Sequence, residues 1–98
     1  FLLGELKLAR MDKDANLPLL KYVKSFKGNS YLKAAHQKLA WHALLILNDV
    51  SAYRSGIASV DGASSTMLDE DKSAQKEFES GEIPNRMLLK ARLQFDGG

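Results

Sequence analysis

Two histidines, an acidic triplet and a short Asp-x-Asp-x-Asn run are the residues of this chain whose types could do chemistry. His36 and His42 are the only imidazoles. On a helix, two residues six apart point about 120° from each other, so they do not pair on a metal. The HExxH spacing of a helical zinc site does not occur either. Asp12-x-Asp14-x-Asn16 matches the opening of a calcium loop. The match then fails, with Leu17 where the loop needs glycine, Val23 where it needs a bidentate glutamate, and Pro18 intruding. The run is read as a helix-connecting turn. Asp69-Glu70-Asp71 is a carboxylate cluster, but successive helical residues diverge and do not make an acid/base pair. A position at a helix start accounts for them, because negative charge suits the positive end of the helix dipole.

The remaining catalytic patterns are missing too. Serine is frequent from Ser51 to Ser73, without a GxSxG elbow or a histidine nearby. Gly56 and Gly62 are not followed by the GK[ST] of a phosphate loop. Without cysteine there are no disulfides, thiolate metal sites or thiol nucleophiles. The expectation is a protein that is not an enzyme, with no catalytic, cofactor-binding or metal-ligating residues.

Binding residues are the other possibility. Lys21, Lys24 and Lys27, with Lys13 before them, form a basic strip near Tyr22 and Tyr31. Such a strip attracts phosphate, although the small net charge of +2 favours a solvated helix face. Trp41 is the one aromatic singled out as a partner contact, since aromatics are enriched at interface hot spots. Its neighbours Leu44 and Leu45 favour a place in the core. Charge is unevenly spread: residues 1–42 hold eight basic residues against three acids, and the remainder holds six against nine. Halves of opposite sign attract each other or a neighbouring copy.

The elements that must position these residues are all helical. Leu2, Leu6 and Ala9, with Leu3 and Leu8 beside them, predict a first helix over about 1–11. Asn16 is the expected N-cap of a second helix, which carries Leu19, Leu20, Val23 and Phe26 and stops at Gly28. A third runs from Asn29 or Ser30 to Asp49. Leu32, Ala35, Leu39, Ala43 and Ile46 form its stripe, with Lys33, Gln37 and Trp41 opposite. Its second half is apolar all round and therefore needs covering on every side. Asp49 caps a fourth helix with Tyr53, Ile57 and Val60 on one face. Asp61–Thr66 is a loop. A fifth helix starts at Asp69 and ends at Gly81. Only Ala74 and Phe78 give it an apolar edge, so it is expected on the surface. Pro84-Asn85 opens a sixth, with Leu88, Ala91 and Phe95 on one face and Leu89 and Leu93 beside it. Gly97-Gly98 reads as the turn before a further helix. No stretch alternates long enough for a strand, and the longest apolar run, Ala43–Leu47, is far short of a membrane span.

Several of these stretches resemble a known repeat. Leu3-Gly4, Leu39-Ala40-Trp41 with a turn at Asn48-Asp49, and Ala74-x-x-x-Phe78 with Pro84-Asn85 after it resemble fragments of the tetratricopeptide pattern. Phe26-Lys27-Gly28-Asn29 through Trp41, together with Leu88 through Gly98, is similar to the middle of longer bacterial tetratricopeptide-like proteins, many of them exported. The period is degenerate: Ala74 to Pro84 is two residues short, and Lys7 stands where an aromatic belongs. The resemblance implies an αα scaffold for protein contacts, without catalytic residues, and an exported or envelope location.

The expected fold is therefore all-α, five to six helices in antiparallel pairs stacked as an αα-superhelix, with residues 1–98 a single domain cut from a longer chain. The expected function is a non-catalytic scaffold for a protein or peptide partner. Self-association through the end helices is expected as well, because stacked repeats bury their cores against neighbours. The alternatives are an accessory domain of a larger enzyme and a nucleic-acid module using Lys13, Lys21, Lys24 and Lys27.

Overall fold

The computed structural model describes residues 1–96, so the turn read at Gly97-Gly98 lies outside the described residues. Six helices follow one another: α1 (Leu2–Ala9), α2 (Asn16–Ser25), α3 (Leu32–Leu45), α4 (Val50–Gly62), α5 (Asp69–Ser80) and α6 (Arg86–Asp96). Among the described residues there is no strand. The fold is all-α, as expected, with the packed helices of a helical-repeat-like architecture. Among the described residues, no helix is long and apolar enough to cross a membrane.

α3 is the axis of the molecule and touches each of the other five helices. Trp41, His42, Ala43 and Leu44 are four successive buried residues. At about 100° per residue, four in a row reach every side of a helix. The all-round apolar half of α3 is thus covered all round. The broadest contact is with α4, across a connection of only a few residues, which makes the two helices antiparallel neighbours. Their close approach has a cause in the sequence. A Cβ on Gly56 would stand 3.1 Å from both the Cα and the Cβ of Ala40. Two small residues at the crossing let the backbones come together, and a larger side chain would push them apart. The core gathers Leu8, Ala40, Trp41, Leu44, Tyr53 and Leu89. α1 also packs on α6, so the first and last helices meet.

Helix ends follow local chemistry in some places and tertiary chemistry in others. Asp49 caps α4 as expected, its Oδ1 accepting from the Ala52 N–H at 2.9 Å. Gly81 closes α5 in the left-handed region at φ 68°, where a residue without Cβ is at ease. Asn85 Oδ1 accepts from the Leu88 N–H at 3.0 Å and opens α6. Three expected ends are corrected. Asn16 does not cap α2 but forms its first residue, and α2 stops at Ser25, before Gly28. Neither Asn29 nor Ser30 caps α3. Tyr31 stands at that N-cap in the left-handed region (φ 64°) without a capping side chain of its own. Its cap comes from α5.

Candidate functional site

The face of α3 that carries Lys33, Gln37 and Trp41 is polar in sequence and buried in the structure. Lys33 and Gln37 are as inaccessible as core leucines, and Trp41 is 2% exposed. α5 covers this face with one edge while most of it lies on the surface, as expected. Ala74 is buried and Phe78 half-buried on that edge, and the expectation missed only that Asp71, Gln75 and Glu77 share it. Asp71 is 1% exposed. Its Oδ2 accepts from the Tyr31 N–H and its Oδ1 from the Ala34 N–H, both at 3.1 Å. Thr66 donates its hydroxyl to the same carboxylate. Asp71 is therefore the N-cap of a helix far from it in sequence. It satisfies amides that local residues leave open and places a negative charge at the positive end of α3.

Further along the seam, Lys33 Nζ donates to the Val60 carbonyl and to Gln75 Oε1, both at 2.7 Å. Glu77 closes it. Its Oε1 accepts from Gln37 Nε2 at 3.0 Å, and its Oε2 from Trp41 Nε1 at 3.0 Å and the Tyr53 hydroxyl at 2.7 Å. Burial, and then the carboxylate that accepts its proton, raise the Tyr53 hydroxyl well above its ordinary value. No buried side-chain nitrogen or oxygen among the described residues lacks a partner. The seam is a closed network: its acids and donors are engaged with one another.

The sequence contained a signal for it. Lys33, Gln37 and Trp41 recur at every fourth residue and all carry donors. Asp71 and Gln75 repeat the spacing on α5 with acceptors. Two complementary polar stripes at helical spacing are a pairing signal, although each alone resembles a solvated face.

The other candidate residues fall elsewhere. Trp41, one of the proposed partner contacts, has its indole in the core, and its ring floors a cleft of about 230 Å³ between α1 and α6. Lys38 Nζ lies 4.3 Å and Arg92 Cζ 5.7 Å from the ring centroid. Leu2, Leu6 and Leu93 form apolar walls, and Glu5 is the one carboxylate lining the cleft. Burial holds the Lys38 ammonium below its ordinary pKa, partly offset by the acids around it. Sequence reasoning missed Lys38 and Arg92, since nothing along the chain places residue 92 beside residue 38.

Lys21, Lys24 and Lys27 are exposed, as is Lys13. Beside them the structure gathers aromatic rings. Tyr22 stacks on Phe26 at 4.6 Å between centroids, and Phe1 on Tyr31 at 5.0 Å. The Tyr22 hydroxyl donates to the Ser30 carbonyl at 2.7 Å, so these rings also tie α2 to the start of α3.

The histidines are separate in space as in sequence. The ring Nε2 of His42 lies 2.8 Å from the Lys13 carbonyl oxygen and donates to it, while His36 is half-buried and burial lowers its pKa. Asp14 pairs with Lys7 at 2.6 Å, and that hydrogen bond lowers its pKa. No group of three or more histidines and carboxylates among the described residues is placed to hold a metal ion. Comparison with known proteins finds no matching family model, no matching curated protein and no matching solved structure.

Proposed function

We propose that this chain is a non-catalytic helical scaffold whose α1/α6 side binds a protein partner or another copy of itself. The observation that carries the reading is the apolar surface left open on these two helices. On α6, Leu88 is 72% and Phe95 86% exposed, and Met87 is as open. On α1, Leu2 and Leu3 are more than half exposed. The largest apolar patch of a soluble monomer is commonly a contact surface. The resemblance to tetratricopeptide-like proteins supports the same role, as does the engagement of the buried polar groups with one another.

The test is association in solution. Sedimentation of the wild type over a range of concentrations, and partner capture with the longest natural form of the protein, are compared with a Leu88→Glu/Phe95→Glu variant. Both side chains stand in water, so the variant keeps its helical circular dichroism. The reading expects association that the variant loses. A wild type that stays monomeric, with the same captured proteins as the variant, would sink it.

A second reading has its own observation. The exposed Lys13, Lys21, Lys24 and Lys27 beside stacked rings offer charge and π-faces to nucleic acid. Salt-dependent binding of duplex or single strands would support it, and an absence of binding at low salt removes it.

A further inference from the structure

The cleft over Trp41 adds chemical selectivity to the apolar surface around it. Its floor is an indole whose N–H is already committed to Glu77. Two cations from different helices converge on the ring, Lys38 from α3 and Arg92 from α6. Neither forms an ion pair within 4.0 Å among the described residues; the one such pair is Lys7–Asp14. Glu77, hydrogen-bonded to Gln37, Trp41 and Tyr53, acts on Lys38 through space, without an ion pair to either cation. Glu5 lines the same cleft and balances one of the two charges at most. α6 also carries Arg86 and Lys90, which lie away from this cleft, against Leu45, and Asp96 is its only acid. The surface is thus apolar at its walls, with two cations at its centre that no carboxylate pairs directly.

This composition defines an occupant. Beyond the cleft, Leu88 shares a second cleft with Arg92, and Leu3 and Phe95 are exposed on the same two helices, so an occupant that also covers them is longer than a small molecule. A basic centre repels another α6, which is itself basic, and disfavours a two-fold contact between copies through this helix. Resting on the scaffold reading above, we infer that the α1/α6 face docks an amphipathic polypeptide segment that sets an acidic side chain between Lys38 and Arg92, against Trp41. The segment's apolar side chains cover Leu2, Leu6 and Leu88. Its carboxylate meets a guanidinium, the geometry in which charge-assisted hydrogen bonds are strong. The half-buried ammonium of Lys38 gains a carboxylate at ion-pair distance, which neither Glu5 nor Glu77 supplies.

Trp41 is the only tryptophan, so its fluorescence reads this cleft without a label. The probes are a soluble synthetic helix whose leucine stripe is interrupted by one glutamate, and a twin with glutamine at that place. The expected result is saturable change in Trp41 emission with a preference for the glutamate helix of roughly tenfold. That preference disappears in Arg92→Gln and in Lys38→Met, which keeps the apolar stem, and persists in Lys72→Gln on the exposed side of α5. Equal binding of the two helices overturns the acidic selectivity while leaving the apolar scaffold reading in place. Binding of neither helix overturns the docking site itself. Vesicles of phosphatidylcholine with phosphatidylserine are the third arm. If they change Trp41 emission and the glutamate helix does not compete, the face serves a lipid surface and the inference fails. Association with another copy that survives in Lys38→Met and Arg92→Gln belongs to the scaffold reading alone.

Discussion

α5 and α6 both lie at the surface of the molecule, but opposite chemistry holds each of them to it. α5, reading DEDKSAQKEFES, is among the most polar stretches of the chain, and it is polar groups, Asp71, Gln75 and Glu77, that tie its inner edge to α3. α6, reading RMLLKARLQFD, carries more apolar side chains. It buries Leu89 and partly Leu93, and leaves Met87, Leu88 and Phe95 in water. The difference lies in what each helix meets. α5 meets a stripe of donors on α3 and the open amides at its start, so polar side chains are the ones that fit. α6 meets a core already closed by Leu8, Trp41 and Leu44, which has room for one narrow stripe. Apolar content states what a helix would gain by burial; the facing surface decides whether it is buried.

The largest effect that would sharpen this contrast is expected at Asp71. Asp71→Ala leaves the Tyr31 and Ala34 amides without acceptors and removes the only cap of α3. Urea unfolding should show a loss of about 2–4 kcal/mol. A loss below about 0.5 kcal/mol, the range of ordinary surface changes, would mean that Asp71 does not cap α3.

Next comes α6 itself. Leu89→Ala should cost about 2–3 kcal/mol, because a side chain 6% exposed leaves a cavity behind. Leu88→Ala, one residue away, should stay within about 0.5 kcal/mol. Equal losses at the two positions would end the assignment of an inner and an outer face.

A smaller effect is expected at Glu77. In Glu77→Gln, Gln37 can turn its amide so that every group keeps a partner, and the cost should be about 1 kcal/mol. The clearer readout is Tyr53. Its pKa, followed by phenolate absorbance against a Tyr53→Phe control, should fall without reaching the ordinary 10.0, because burial is the larger cause. In the wild type the raised pKa stabilises the fold below pH 10, and that contribution is lost as pH rises toward the folded-state value. An unchanged Tyr53 titration would remove Glu77 from the seam.

The smallest effect tests a group that takes no part in the seam. Burial lowers the pKa of His36, so the folded state favours its neutral ring. The stability this gives is complete above pH 6.5 and is lost as pH falls through the depressed folded-state value. His36→Gln should flatten the stability profile in that window and change little at neutral pH. A profile identical to wild type would show that His36 titrates normally.

Much of the fold was legible along the chain. The six helices follow from spacing and punctuation: Asp49 before α4, Asp69 at the start of α5, Gly81 after it and Asn85 before α6. The four-sided burial of α3 was legible too, because its second half is apolar all round, although Trp41 could be read as a core residue or as a partner contact. The candidate site was less so. Lys33 and Gln37 read as solvated residues, and Asp71 as an acid serving its own helix. Their actual partners lie about forty residues away. The α6 stripe of Leu88, Ala91 and Phe95 reads as a core face no less than that of Leu89 and Leu93, since periodicity marks an apolar stripe without saying which one finds a neighbour.

The sequence by itself determined the secondary structure and the helix that must be central, since propensity, capping and apolar periodicity act over a few residues. It also determined which chemistry lacks its motifs. Only the tertiary structure decided that Asp71 caps α3, that Glu77 joins Gln37, Trp41 and Tyr53, and that Lys38 and Arg92 converge on one indole. Each of these depends on the angle and register at which distant helices pack. That geometry is fixed by the fit of whole surfaces, such as Gly56 against Ala40, and no local pattern encodes it.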